Sequence, residues 1–264
     1  MFDDEPRGRL DSIGRRAAAF AAGVGRCASV TARSLASMPA CALSGRRRRA
    51  FAQQLYATGV KSLPVITVVG FFTGMILGLQ VGLALARFNQ ENLLGAAVMI
   101  TLMREMAPFV TGLCLSACVG SAMAAELGTM TVNDEIAALE IMSVPPVKYL
   151  AAPRICSLAV MAPLLSFYAC VLGVVGGGFV GAMQLNVDFR QYISSAIAMA
   201  EVKDLAVGLL KAGLFGVIIG GVSCHQGFSA ELGALGVGRA VQKSVIVSFL
   251  LILVAGYMVT RLAY

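Results

Sequence analysis

Charge is scarce in this chain. Only 13% of its 264 residues are Asp, Glu, Lys or Arg, about half the share of a typical soluble domain, while 58% are hydrophobic and the mean hydropathy is +0.81. No Gly-x-x-x-x-Gly-Lys-Ser/Thr phosphate loop occurs, so any use of ATP must come from another chain. There is one histidine, His225, which its polar surroundings place in a loop. No Ser/His/Asp arrangement can be assembled around it. The seven cysteines are odd in number and show no paired spacing, which argues against a disulfide framework. Cys114 and Cys118 lie one helical turn apart, but no histidine or carboxylate completes a metal site nearby, so they read as small packing residues. No catalytic residue, metal or cofactor is expected.

What the chain has is apolar length. Leu63–Ala86 is a first crossing, about 36 Å long at 1.5 Å per residue. Leu93–Ala125 is a second, about 50 Å long, which exceeds the roughly 30 Å hydrocarbon core and must tilt, break near Pro108, or project. Ile155–Gly181, Leu205–Val222 and Ser244–Thr260 follow as third, fourth and fifth crossings. Residues 184–203 form a mildly amphipathic excursion on the far side, and residues 223–243 a loop. The expected fold is all-α, a polytopic membrane protein.

The net charge of +7 comes from an arginine-rich stretch before the first run, which places the N-terminus in the cytosol. Asp3, Asp4 and Glu5 count against a transit peptide, and Arg26 interrupts the apolar stretch behind Arg15-Arg16 that a signal peptide would need. Residues 1–45 read as a basic cytosolic arm without stable structure, and residues 46–264 as the membrane domain. Within the latter, residues 46–62 form a basic interfacial helix with Phe51 and Leu55 on one side. The Arg46–Arg49 cluster, just ahead of a span, suits lipid headgroups better than nucleic acid.

Two features are local. Small residues recur every fourth position: Gly70, Gly74, Gly78 and Gly82 on the first span, Gly112, Ser116, Gly120, Ala124 and Gly128 on the second, Gly208, Ala212, Gly216 and Gly220 on the fourth. Such strips let helix backbones approach closely. Between the second and third runs lies the charged segment Glu126–Pro146, whose residues 133–145 read as a short helix. Thr131 or Asn133 can cap it, Asp134 and Glu135 fall in its favourable first turn, Ile136 and Leu139 share a face near Glu140, and Val144 before Pro145 ends it. It presses either on headgroups or on a protein partner, and its acidic end favours the protein. Inside the second span sits Arg104-Glu105-Met-Ala-Pro108. Charges within a span face a cavity or partner, or else snorkel to the interface.

The charged segment, the Arg104-Glu105-x-x-Pro108 motif, the entry Gln54-Leu55-Tyr56-x-x-Gly59-Val60-x-Ser62-Leu63-Pro64 and the loop Gly236-Val237-Gly238-Arg239-Ala240 together resemble the MlaE/YrbE family of ABC-transporter permeases, over roughly residues 50–260. The resemblance implies a homodimeric permease of the bacterial inner membrane. Its implied partners are separate ATP-binding ABC subunits, an MCE-domain protein and membrane lipid, with no nucleic acid. It also implies movement of phospholipid or related lipid between inner and outer membranes. Arg104, Glu105 and Pro108 would meet the substrate. Glu126, Asp134, Glu135, Ile136, Leu139 and Met142 would couple to the ATPase. The chain departs from many members at Cys118, Thr131 and near Gly256, where they carry arginine, a basic residue, and Asp or Asn. A stand-alone secondary transporter or channel is the alternative. It would require ion-coupling carboxylates in several spans and paired repeats.

Overall fold

The structure, a computed structural model, describes residues 45–184 and 187–264, together with residues 25, 29, 31 and 32. The expected arm, residues 1–45, thus lies almost wholly outside the described residues. Of the few that are described there, Thr31 is helical and sits against Gly221.

No strand occurs among the described residues, and five helices are long and apolar enough to cross a membrane. We number the elements α1 Gly45–Gly59, α2 Leu63–Ala86, α3 Glu91–Val132, α4 Glu135–Ile141, α5 Ala152–Gln184, α6 Phe189–Ala198, α7 Val202–Phe228 and α8 Ala234–Ala263. Crossings α2, α3, α5, α7 and α8 alternate in direction. The short helix α4 marks one end of the bundle and α6 the other.

Helix α1 runs through one 3₁₀ turn, Val60–Ser62, into α2, where Pro64 occupies a first-turn position that needs no amide donor. The last turn of α1 is tied to the bundle: Thr58 and Ser157 hydroxyls lie 3.3 Å apart and Gly59 packs under Met161.

The glycine strips are buried seams. Gly70, Gly74 and Gly78 of α2 face Ala169, Gly173 and Gly177 of α5, each partner 99 residues further on, as parallel helices require. A Cβ on Gly78 would come within 2.8 Å of Gly177 Cα, and one on Gly74 would drive into the Gly173 carbonyl. Only glycine permits this backbone contact. The strip on α3 faces α7 and α8, with Gly112 against Phe215 and Ile252 and Gly120 against Ile219. That on α7 faces α5, with Gly216 against Leu158 and Gly220 against Ile155. The central core joins Leu115, Leu158, Phe215, Ile219 and Ile252, all essentially inaccessible.

Helix α3 neither breaks at Pro108 nor ends at residue 125. It absorbs the proline through a π turn, Leu102–Met106, in which the Ala107 amide bonds to the Leu102 carbonyl five residues back. A second π turn spans Ser116–Gly120. Both α7 and α8 are likewise longer than the apolar runs, and the expected loop at 223–243 shrinks to the connection between Phe228 and Ala234. His225 lies in the last turn of α7 and not in a loop. These residues are polar because they pass beyond an apolar layer, and the helix continues because its backbone bonds need no hydrocarbon.

The far-side excursion is anchored. Asp188 caps α6 by accepting from the Arg190 amide at 3.0 Å, and Tyr192, fully buried, donates its hydroxyl to the Val174 carbonyl at 3.1 Å over Gly177 and Gly178.

Candidate functional site

Pro108 has no amide hydrogen, so the Arg104 carbonyl four residues earlier lacks its ordinary α-helical donor. Lys211 supplies one. From the middle of α7, its Nζ donates to Arg104 O at 3.0 Å, to Glu105 Oε1 at 2.9 Å and to Thr260 Oγ1 at 2.8 Å. An ammonium has three protons, and each finds one acceptor. Thr260, near the end of α8, lies 2.6 Å from the same Glu105 oxygen and donates to it. Lys211 is 1% exposed, whereas the Glu105 side chain is 41% exposed. The cation is thus buried and satisfied, while part of the carboxylate faces outward.

Arg104 is held separately. Its Nε lies 2.9 Å from Asp204 Oδ1, an ion-pair distance but not an aligned hydrogen bond. Asp204 is 1% exposed and Arg104 36%. The Tyr264 hydroxyl donates to the same Asp204 oxygen, and the Arg104 guanidinium carbon stands 4.4 Å from the centre of the Tyr264 ring. Lys203 Nζ stands 5.1 Å from that centre. Tyr264 follows the last helix and is 51% exposed as a whole, yet its phenol is pushed up to about 12, by desolvation first and by its bond to Asp204 next.

Arg104 and Glu105 therefore do not neutralise one another. Adjacent on a π turn, each reaches a different buried partner on α7, and α8 contributes Thr260 and Tyr264. Gly208 makes the approach possible: a Cβ there would strike the Met103 carbonyl. The outcome is a closed charge network between three crossings, with one cation and one carboxylate half open. Charges within an apolar span are tolerated when paired in this way.

At the other end, Arg154 opens α5. It donates to Leu150 O at 3.1 Å and to Glu126 Oε2 at 3.0 Å, tying α5 to α3. The Thr131 hydroxyl bonds to the Leu127 and Gly227 carbonyls, so it joins α3 to α7 and does not cap α4. Asn133 does not cap it either. Helix α4 starts after Asp134, which has the positive φ of 57°, and no side chain caps it. It stops in a left-handed turn at Ser143 (φ 58°), with Ser143 N bonded to Glu140 O and Val144 N to Leu139 O. Ile136 and Leu139 are half-buried, and Leu139 packs against the cluster of Leu127, Leu150 and Ile155. Asp134, Glu135 and Glu140 are exposed, as are Ile141 at 85%, Met142 at 64% and Tyr149 at 60%.

Of the residues singled out from sequence, the structure brings Arg104 and Glu105 into one network, with Pro108 buried behind it acting through the carbonyl it frees. Glu126 is engaged by Arg154, and the α4 residues form a separate outer face. Sequence reasoning missed Asp204, Lys211, Thr260, Tyr264 and Arg154. Lys211 carried a signal, being a cation inside the fourth apolar run, with Asp204 two turns earlier on the same face. No His/Cys/Asp/Glu cluster suited to a metal is found among the described residues.

Five apolar crossings closed over an internal charge network define a multi-pass membrane protein. The chain belongs to the MlaE permease family: the family described as Permease MlaE matches residues 51–262. It is 36% identical to a probable ABC transporter permease protein of Rickettsia conorii, across 96% of this chain and 97% of that one. It is 31% identical to the intermembrane phospholipid transport system permease protein MlaE of Haemophilus influenzae, across 80% and 82%. A probable ABC transporter permease protein of Synechocystis sp. is 29% identical across 84% and 85%.

Proposed function

We propose that this protein is the permease subunit of an ABC transporter that moves phospholipid or related lipid between the inner and outer membranes. It is energised by a separate ATPase. The observation that carries the reading is the half-open charge network of α3, α7 and α8, in which Arg104 and Glu105 keep accessible faces while their partners are buried. A guanidinium so placed binds phosphate by charge-assisted hydrogen bonds. The Haemophilus relative, named for intermembrane phospholipid transport, supports the same substrate class.

At the opposite end, α4 couples to the ATPase. Ile141, Met142 and Tyr149 are exposed apolar positions at this end, alongside the exposed Asp134, Glu135 and Glu140; Ile136 and Leu139 are half-buried, Leu139 packing partly against the bundle. The chain works as a homodimer in the bacterial inner membrane, with α4 and the N-terminal arm on the cytosolic side and an MCE-domain protein on the other. Residues 46–264 constitute the permease domain.

A stand-alone secondary transporter gains Asp204 and Lys211 as intramembrane charges, but both are paired, and the network leaves no isolated carboxylate for a coupling ion. Purification of the tagged protein in mild detergent, with identification of accompanying chains, tests the assignment. An ATPase and an MCE-domain protein are expected. A homogeneous preparation of this chain alone that still catalyses ion-coupled transport overturns it.

A further inference from the structure

Arg104 has a long, flexible side chain, yet among the described residues only two contacts hold it: Asp204 at Nε and the Tyr264 ring on its face. Its two terminal nitrogens are left for a ligand. Tyr264 touches both parts of this arrangement, since its hydroxyl bonds to the carboxylate and its ring carries the guanidinium. It also lies outside residues 51–262, the part of the chain that matches the family.

We propose that Tyr264 is a positioning residue for lipid binding: it fixes Asp204 with its hydroxyl and Arg104 with its ring, so that the guanidinium tip is preorganised for a lipid phosphate. The inference rests on the reading above, in which Arg104 meets the headgroup. The physical case is entropic as well as electrostatic. An unsupported arginine loses its rotamer freedom on binding phosphate, whereas one already stacked and paired has lost most of it beforehand. Asp204 alone does not suffice, because it meets the guanidinium only at Nε and leaves its plane unsupported. The aromatic face supplies the plane. Lys203 Nζ also stands 5.1 Å from the centre of the same ring.

The test is equilibrium binding of a fluorescent phosphatidylglycerol to the protein purified in mild detergent with its accompanying subunits. Tyr264→Leu removes both contacts and is expected to weaken binding about tenfold. Tyr264→Phe keeps the ring and is expected to weaken it about threefold. In an Arg104→Gln background, Tyr264→Leu should add no further loss, because there is no guanidinium left to position. A residue that merely stabilises the fold would lower thermal stability in both backgrounds and weaken binding additively, which overturns the proposal. Wild-type binding by Tyr264→Leu alongside weakened binding by Arg104→Gln overturns it too, and leaves the lipid reading intact. Wild-type binding by Arg104→Gln instead removes the lipid reading on which it rests. If Tyr264→Leu fails to fold, Tyr264→Phe carries the test, and its equality with wild type in binding overturns the role of the hydroxyl and with it the proposal.

Discussion

Lys211 toward one end of the bundle and Arg154 toward the other are both buried cations that face a more exposed carboxylate. Lys211 has an acceptor for each of its three protons, whereas Arg154 keeps a buried Nε with no hydrogen-bond partner. The first cation is enclosed by three helices, and its carboxylate, Glu105, is also held by Thr260. The second bridges two helices to Glu126, which is 59% exposed and otherwise solvated. A fully satisfied buried network is rigid and specific; a partly satisfied one yields more readily. The Lys211 node is therefore the more firmly held of the two cations, even though Arg104 Nε and Asp204 Oδ2 beside it also lack aligned hydrogen-bond partners.

The largest effect should come from Lys211→Met. It removes the donor of the Arg104 carbonyl and leaves Glu105 to Thr260 and its exposed side, which puts the cost near the low end for a buried pair, about 3 kcal/mol. Folded yield and the thermal midpoint measured by size exclusion should both fall. Gly74→Leu comes next. It forces the α2–α5 seam open against backbone, which cannot give as a side chain can, at about 3 kcal/mol, and it should loosen both ends together. Arg154→Met should cost less, about 1–2 kcal/mol, because Glu126 can return to water. If Arg154→Met proves as costly as Lys211→Met, the contrast between the two ends fails.

The outer face of α4 sharpens the contrast in another way. The double variant Ile141→Asp, Met142→Asp should leave stability close to wild type, since both side chains are exposed, and should release the ATPase on co-purification. Ile136→Asp with Leu139→Asp should instead disturb the seating of α4 itself. The smallest effect concerns Tyr264. Its folded value, about 12, exceeds the ordinary phenol near 10, so the stabilisation is complete below pH 10 and is lost as pH rises through about 12. Ultraviolet difference titration against Tyr264→Phe should show one tyrosine ionising late.

The five crossings were legible because apolar length is a one-dimensional property. The boundaries Leu63 and Ala86 of α2 match the apolar run itself, since the chain turns where the run ends. The ends of α7 and α8 were not legible, because a helix that leaves hydrocarbon becomes polar without ceasing to be helical. Pro108 illustrates the same limit within a span. Proline announces a defect in the hydrogen-bond ladder but not its remedy, and here the remedy is a π turn and an ammonium from another helix. Arg104 and Glu105 could be recognised as misplaced charges from sequence. That their partners are Asp204 and Lys211, and that Tyr264 closes the set, could not.

The sequence by itself determined the membrane class, the number of crossings, the spacing of small residues and the acidic character of α4. Each of these follows from composition or from a period shorter than the helix that carries it. Only the tertiary structure decided which glycine strip meets which helix, which cation neutralises which carboxylate, and whether Ile136 or Ile141 is presented outward. These depend on the rotation and register of helices 49 to 107 residues apart in sequence. Close packing and charge pairing set that register jointly, and no local stretch of the chain contains both sides of either contact.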